Sequence, residues 1–281
     1  MSNQPVAVRT ANMQRAAEKL TGLEAVLSGM KSVVIGFSGG VDSTFLLKVA
    51  LDVLGPKNVL AVTAYSATLA LNELEATEAL AHQLSAEHMV INADELAHPQ
   101  FITNPPERCY HCKRLRFSMI DKIRRQRTFA VALDGTNADD EDDWRPGIKA
   151  AEELGVRSPL KEVGMTKDDI RELSNACGLP TWDKPCTPCL ASRVPYGEVI
   201  TEEKLKQIAE AESYLRELGL TELRVRHHGD IARIEVPSKD LIKVAAQAGT
   251  IAARIKALGF HFIALDLAGF KSGSLNVGIG K

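Results

Sequence analysis

The chain has 281 residues, 45% of them apolar and 25% charged, with a formal net charge of −2. That length and apolar content suit one large or two modest globular domains. The near-balanced charge calls for neither a nucleic-acid nor a membrane partner, and no apolar stretch approaches the ~20 residues of a helical membrane span. The first twenty residues lack the apolar core of a secretory leader, so a cytoplasmic location is expected. Five cysteines, an odd number in a reducing compartment, argue against a disulfide framework and for metal or sulfur chemistry.

Residues 11–27 read as a helical lead-in. Val33-Val34-Ile35-Gly36-Phe37 is continuously apolar and predicts a buried strand. The run breaks at Ser38-Gly39-Gly40, and helical spacing resumes over 43–54. A strand, a glycine turn and a helix start together make a phosphate cradle. The glycines allow a sharp turn with exposed N–H groups, and the helix N-terminus adds partial positive charge. Ser38 and Ser43 add hydroxyl donors, and Asp42 suits a magnesium ion carried on the phosphates. No lysine follows the glycines as in a Walker A loop, and the G-x-G-x-x-G spacing of a dinucleotide fold is absent. The pattern Ser38-Gly-Gly-Val-Asp-Ser43 resembles instead the PP-loop of ATP pyrophosphatases, which cleave ATP between its α and β phosphates and leave an adenylate on the substrate.

Further along, strands are expected at 58–65, 89–92 and 129–133, with helices at 71–84 and 109–127 and a loop at 98–107 around Pro105-Pro106. Strands alternating with helices predict an α/β, Rossmann-like, doubly wound parallel sheet. Ligands in such sheets sit beyond the C-terminal strand ends. That brings Ser38–Asp42 and the Asp134-Gly135-Thr136-Asn137 loop to one mouth, with Gly135, Asn137 and Asp140 as nucleotide contacts. An acidic run follows, Asp139-Asp140-Glu141-Asp142-Asp143. As a charge run it reads equally as a solvated face, and magnesium is an even alternative only for Asp140 and Asp143.

Thr166 is a good N-cap for a helix reaching residue 176. Residues 177–197, rich in Pro and Cys, read as a functional linker closing a first domain of residues 1–197. From 201 the pattern changes to a long charged helix (202–218), two strands (223–226 and 232–236), one or two helices (239–258) and a last strand (261–267). This is a second, smaller α/β domain of residues 198–281.

Cys177, Cys186 and Cys189 fall within thirteen residues. Three thiolates at one point can hold a [4Fe–4S] cluster with one iron open. Equally, the pairs Cys109-x-x-Cys112 and Cys186-x-x-Cys189 match a four-thiolate zinc site. Redox or persulfide chemistry with Cys109 and Cys112 as a relay is a third option. Spacing gives cluster and zinc equal weight. Arg224 and Arg226 alternate along one predicted strand and share a face. His227 and His228 receive no role, and the basic residues of 113–127 spread around a helix as a solvated surface.

Ser38-Gly-Gly-Val-Asp-Ser43, the Arg108-Cys-Tyr-His-Cys-Lys113 box, Gly135-Thr-Asn-Ala-Asp-Asp140 with Trp144-Arg-Pro-Gly147, and Cys189-Leu-Ala-Ser-Arg193 with Pro195-Tyr-Gly197 together resemble the LarE family. The resemblance implies an ATP-dependent sulfurtransferase of nickel-pincer nucleotide synthesis. Its small-molecule substrate is pyridinium-3,5-biscarboxylic acid mononucleotide. A carboxylate is adenylated with loss of pyrophosphate, and sulfur then replaces AMP to give a thiocarboxylate. ATP and Mg2+ are the implied cofactors. Three linker cysteines resemble the [4Fe–4S] type of member, which tips the ligand question toward the cluster, while sacrifice of one cysteine's sulfur stays open. Arg193, Arg224 and Arg226 are implied as substrate-anion contacts, and Glu212 and Glu235 as acids of a family metal site. The family also implies a homo-oligomer, a hexamer. Two other readings compete: a tRNA thiolase, disfavoured by the slightly acidic balance, and a nucleotide-binding regulatory protein with a structural zinc.

Overall fold

The structure, a computed structural model, describes residues 6–70, 72–142, 146–185 and 187–271, with side chains from residue 12 onward except 141 and 142. Cys186, Asp143, Trp144 and Arg145 lie outside the described residues, as do the side chains of Glu141 and Asp142. In chain order the elements are α1 (Val6–Ser28), β1 (Val33–Gly36), α2 (Val41–Leu54), β2 (Val59–Tyr65), α3 (Glu73–Gln83), β3 (Glu87–Asn92), α4 (Pro99–Ile102), α5 (Arg108–Gln126) and β4 (Val131–Leu133). They continue with α6 (Pro146–Glu153), α7 (Pro159–Glu162), α8 (Lys167–Ala176), α9 (Glu202–Glu217), β5 (Arg224–His228), β6 (Ile231–Glu235), α10 (Leu241–Ala246), α11 (Ala248–Ala257) and β7 (Phe262–Leu265). No described helix is long and apolar enough to cross a membrane.

Contacts divide the chain into two compact units that are interleaved in sequence. One takes the described residues of 1–65, 73–93 and 109–186; the other takes those of 66–72, 94–108 and 187–281.

The first unit is built on a four-stranded parallel sheet in the order β3-β2-β1-β4. Successive residues of a strand face opposite ways, and here both ways are buried. Val33 and Ile35 join a core with Leu23 and Leu27 of α1, Phe45 and Leu47 of α2, and Ile170 and Leu173 of α8. Val34, with Leu60 and Val62 of β2, joins a second core with Phe117 and Ile120 of α5 and Ala151 of α6. Burial on both faces explains why β1 reads as an unbroken apolar run rather than an alternating one. The α/β doubly wound arrangement expected from the sequence is the one found. The chain leaves β1 outward through β2 and β3 and returns to its other side at β4, so the strand order reverses between β1 and β4. Loops leaving those two strand ends diverge and open a crevice there.

Two local expectations shift. The region 98–107, read as loop, contains the short helix α4, opened by Pro99 at its first turn, where a missing N–H costs nothing. The strand expected over 129–133 shrinks to β4, because Thr128 turns the chain at φ +58° and Phe129 enters the core.

In the second unit β5 and β6 form an antiparallel hairpin, turned at Gly229 with φ +61°, and β7 pairs parallel to β6. Val225, Ala232 and Ile234 face a core with Ala211, Leu215, Val244, Ile251 and Phe260. With a side-chain period of two, Arg224, Arg226, Arg233 and Glu235 occupy the opposite face.

Candidate active site

The turn after β1 is held by hydroxyls. Ser38 and Ser43 Oγ atoms lie 3.1 Å apart, the Ser38 N–H donates to Ser43 Oγ at 3.3 Å, and Ser43 Oγ donates to the Gly40 carbonyl at 3.3 Å. Gly39 takes φ +65°, and a Cβ there would lie 2.5 Å from Thr77 Oγ1. Gly40 is the N-cap of α2 and has no side chain to cap it. The first-turn N–H groups of a fourteen-residue helix are therefore offered to a ligand rather than to a neighbouring side chain.

The loop after β4 comes to the same place. A Cβ on Gly135 would lie 3.0 Å from the Ser43 nitrogen, so only glycine lets this backbone rest on the start of α2. Asp134, nearly buried, accepts from the Thr136 N–H at 3.1 Å, Thr136 Oγ1 at 2.8 Å, Ser158 Oγ at 2.7 Å and Lys113 Nζ at 3.4 Å. Asn137 is buried; its Oδ1 accepts from the Asp139 N–H at 2.9 Å and its own N–H donates to Asp140 Oδ2 at 3.1 Å. The nucleotide residues expected from sequence, Ser38 to Ser43 with Gly135, Asn137 and Asp140, thus sit on two facing loops of one crevice.

A residue the sequence reading missed links them. Lys167, the first residue of α8, donates its N–H to Asp139 at 2.7 Å, and its Nζ is paired with Asp42 Oδ2. A lysine in a helix's first turn opposes the macrodipole; that mismatch was the available signal. Asp42 Oδ1 is buried and has no hydrogen-bond partner. One open carboxylate oxygen beside a phosphate cradle fits Mg2+, which takes one or two carboxylates plus phosphate oxygens and water.

The second unit carries a different kind of site. Arg193, only 2% exposed, forks onto Glu212 with Nε at 2.8 Å and one amino group at 3.0 Å. Its other amino group donates to the carbonyls of Pro188 (2.7 Å) and Cys189 (3.2 Å) and to Ser192 Oγ (3.0 Å). Arg226, equally buried, donates to the Ser192 carbonyl at 2.6 Å and to Glu235 at 3.0 Å. Arg224 stacks over the Phe270 ring at 4.7 Å, and burial, then the Arg226 and Arg193 charges, pull its guanidinium below the usual range. Arg216 and Arg233 complete the carboxylate pairing of Glu212 and Glu235, and Arg233 also reaches Asp266. Both glutamates are held by guanidinium donors. The group holds five guanidiniums and three carboxylates, a surplus of positive charge; Arg193, Arg224, Arg226, Glu212 and Glu235 are buried, and Arg216 and Arg233 are partly exposed. His227 and His228 beside it are held below their ordinary range, chiefly by burial.

Cys177 is exposed at the C-cap of α8, and Cys189 is half-buried at the start of a single 3-10 turn, Leu190–Arg193. Cys109 and Cys112 lie in the first turns of α5. None of these four forms a disulfide. Among the described residues no three His, Cys, Asp or Glu side chains gather into a metal-binding group. The chain just before Cys186 is tethered within the first unit: Arg171 donates to the carbonyls of Trp182 (2.8 Å) and Lys184 (3.0 Å), and Lys184 Nζ donates to the Gly39 carbonyl at 3.2 Å and Glu73 at 2.9 Å. Nothing in the sequence flagged these two cations, since their partners are set only by the fold.

The NAD synthase family model matches residues 18–103. The chain is 39% identical over 264 residues to the pyridinium-3,5-bisthiocarboxylic acid mononucleotide synthase of Lactiplantibacillus plantarum, covering 94% of this chain and 96% of that enzyme. It is 42% identical over 260 residues to an uncharacterized protein of Synechocystis, covering 92% and 97%. A shorter likeness, 34% identity over 96 residues, joins it to a glutamine-dependent NAD(+) synthetase of Thermotoga maritima, of which 16% is covered.

Proposed function

We infer the chemistry from one premise: the chain belongs to the LarE family of pyridinium-3,5-bisthiocarboxylic acid mononucleotide synthases, ATP-using sulfurtransferases of the PP-loop type. It is an ATP-dependent sulfurtransferase of thiocarboxylate synthesis on that mononucleotide. The observation that carries this is the match across 94% of the chain, together with a β1–β4 crevice furnished for phosphate.

A carboxylate resists substitution because a nucleophile must add to an anion and expel oxide. Transfer of AMP from ATP neutralises it and supplies a leaving group. Ser38, Gly39, Gly40 and Ser43 would hold the departing pyrophosphate, with Asp42 and Asp140 near the metal and Gly135 and Asn137 lining the nucleotide. Asp42 would hold Mg2+, which when bound would supply charge neutralisation on the phosphates. Lys167, paired to Asp42, offers a cation to the same phosphates as they gain charge. Sulfur at the hydrosulfide level then adds to the acyl carbon. The C–O bond to AMP breaks as the C–S bond forms, and the original carboxylate oxygen leaves on AMP. No electron is gained or lost.

For the substrate's own phosphate and carboxylate, the surplus of positive charge around the buried Arg193, Arg224 and Arg226 is the supporting feature. We further propose that Cys177, Cys186 and Cys189 hold a [4Fe–4S] cluster, which when bound would carry the transferable sulfide; its support is the resemblance to three-cysteine members of the family, since spacing alone fits zinc equally. Sites on a cytoplasmic homo-oligomer, a hexamer, complete the proposal.

Incubation with ATP and pyridinium-3,5-biscarboxylic acid mononucleotide tests the reaction. AMP and pyrophosphate are expected; ADP and inorganic phosphate would overturn it. Anaerobic purification tests the cluster. About four irons per chain are expected, and colourless protein carrying zinc would overturn it.

A further inference from the structure

We propose that Asn104 and Arg108 are positioning residues for Cys189, gripping its turn from outside the cysteine motif; the proposal rests on the reading of Cys189 as part of the sulfur-delivering site. Both side chains are buried, Asn104 at 0% and Arg108 at 2% exposure. All the residues involved belong to the second unit.

Asn104 sits at φ +53°, a left-handed conformation that asparagine tolerates better than most residues. From there its amide donates to the carbonyls of Pro195 at 2.6 Å and Val194 at 3.2 Å, and its own carbonyl accepts the Gly197 N–H at 2.9 Å. Its Oδ1 accepts from Arg108 at 2.5 Å, and the same Arg108 nitrogen donates to the Ala191 carbonyl at 3.0 Å. On the upstream side the Leu190 N–H is taken by the Thr68 carbonyl at 2.8 Å.

Arg193 and Arg226 already hold the carbonyls of Pro188, Cys189 and Ser192. Asn104 and Arg108 take three more, those of Ala191, Val194 and Pro195. Six of the eight carbonyls from 188 to 195, all but those of Leu190 and Arg193, are therefore held by a named buried side chain. A turn that served only as a link between units would not need charged donors on its backbone, since burying a guanidinium is costly unless its hydrogen bonds are met. What the grip delivers is a fixed place for one thiol. Sulfur transfer depends on such placement, whereas adenylation takes place at phosphate-binding groups in other residues.

Two variants test this in the full-length protein. Asn104→Gly keeps the left-handed backbone and removes the amide; Arg108→Met keeps an unbranched stem and removes the nitrogen that serves both acceptors. Two reactions are read in each: substrate-dependent ATP–pyrophosphate exchange, which reports adenylation, and thiocarboxylate formation. A third readout is the alkylation rate of Cys189 relative to Cys177 in the same sample, by peptide mass spectrometry. Exchange is expected to persist while thiocarboxylate formation falls about 10- to 100-fold, and the Cys189 alkylation rate to rise against Cys177. Exchange and transfer falling together, or an unchanged alkylation ratio, would overturn the proposal. The reading it rests on fails separately: a Cys189→Ser variant that still makes thiocarboxylate sinks the role of Cys189 in sulfur delivery, while the alkylation ratio still reports on the grip.

Discussion

The phosphate loop of the first unit and the cysteine turn of the second solve opposite problems with opposite materials. The loop leaves its polar groups open: no side chain at Gly40 caps the helix N–H groups, and Asp42 Oδ1 has no partner. It is made of backbone, with glycines where a Cβ would collide. The turn closes its groups: three buried arginines and a buried asparagine occupy its carbonyls, and Glu212 and Glu235 occupy the arginines in return. An open site is ready for a ligand that arrives and leaves. A closed one is suited to holding a reactive atom still.

Breaking the closed region should have the largest effect. Glu212→Gln places an amide against the Arg193 fork where both partners are almost fully buried; a loss of about 3–5 kcal/mol is expected, read as a lower denaturation midpoint in urea. In the open region, Asp42→Ala should leave folding intact and lower pyrophosphate exchange by about 100-fold or more; exchange at the wild-type rate would remove Asp42 from the mechanism. Gly135→Ala lies between the two regimes. Its Cβ meets the Ser43 backbone at 3.0 Å, so about 1–3 kcal/mol of stability should go, with weaker ATP binding in a titration.

The smallest effect is expected at the N-cap of α8, one residue before Lys167. Thr166 and Asp169 form a reciprocal cap there, and Lys19 pairs with the Asp169 carboxylate at 2.5 Å. Burial alone would raise the Asp169 carboxyl, but the Lys19 ammonium and the Thr166 donors outweigh it and hold it below its usual value. The stability it contributes is therefore fully present above an unfolded carboxyl value of about 3.9 and is lost as pH falls through the lower folded value. Thr166→Ala should cost about 1 kcal/mol at neutral pH. The gap between wild type and Asp169→Asn in thermal scans should close as pH falls below about 4; a gap that widens on acidification would contradict the assignment.

The same contrast explains what could be read in advance. The phosphate loop was legible because its chemistry is local: strand, glycines, hydroxyls and Asp42 are adjacent in sequence, and the β1–β4 switch point follows from alternating elements. The shared face of Arg224 and Arg226 was legible for the same reason, a period of two. Lys167 was not, because its partner Asp42 is 125 residues away. Asn104 was lost in a stretch read as loop, since a left-handed asparagine looks like an ordinary turn residue until the carbonyls it serves are known. For the cysteines, spacing alone could not separate iron–sulfur from zinc, and the described residues gather no three metal-binding side chains.

The distance between the grip and what it grips has a consequence for how the protein is made. Asn104 and Arg108 lie 83 to 91 residues ahead of the carbonyls they serve. At a synthesis rate of about 5–20 residues per second, they leave the ribosome roughly 4–18 s before those carbonyls exist. During that interval an amide and a guanidinium destined for the interior must stay hydrated. The grip on the turn can thus close only once residues 191–195 have been made, and a stalled or truncated translation product ending before residue 188 would present that segment to chaperones and proteases with its partners missing.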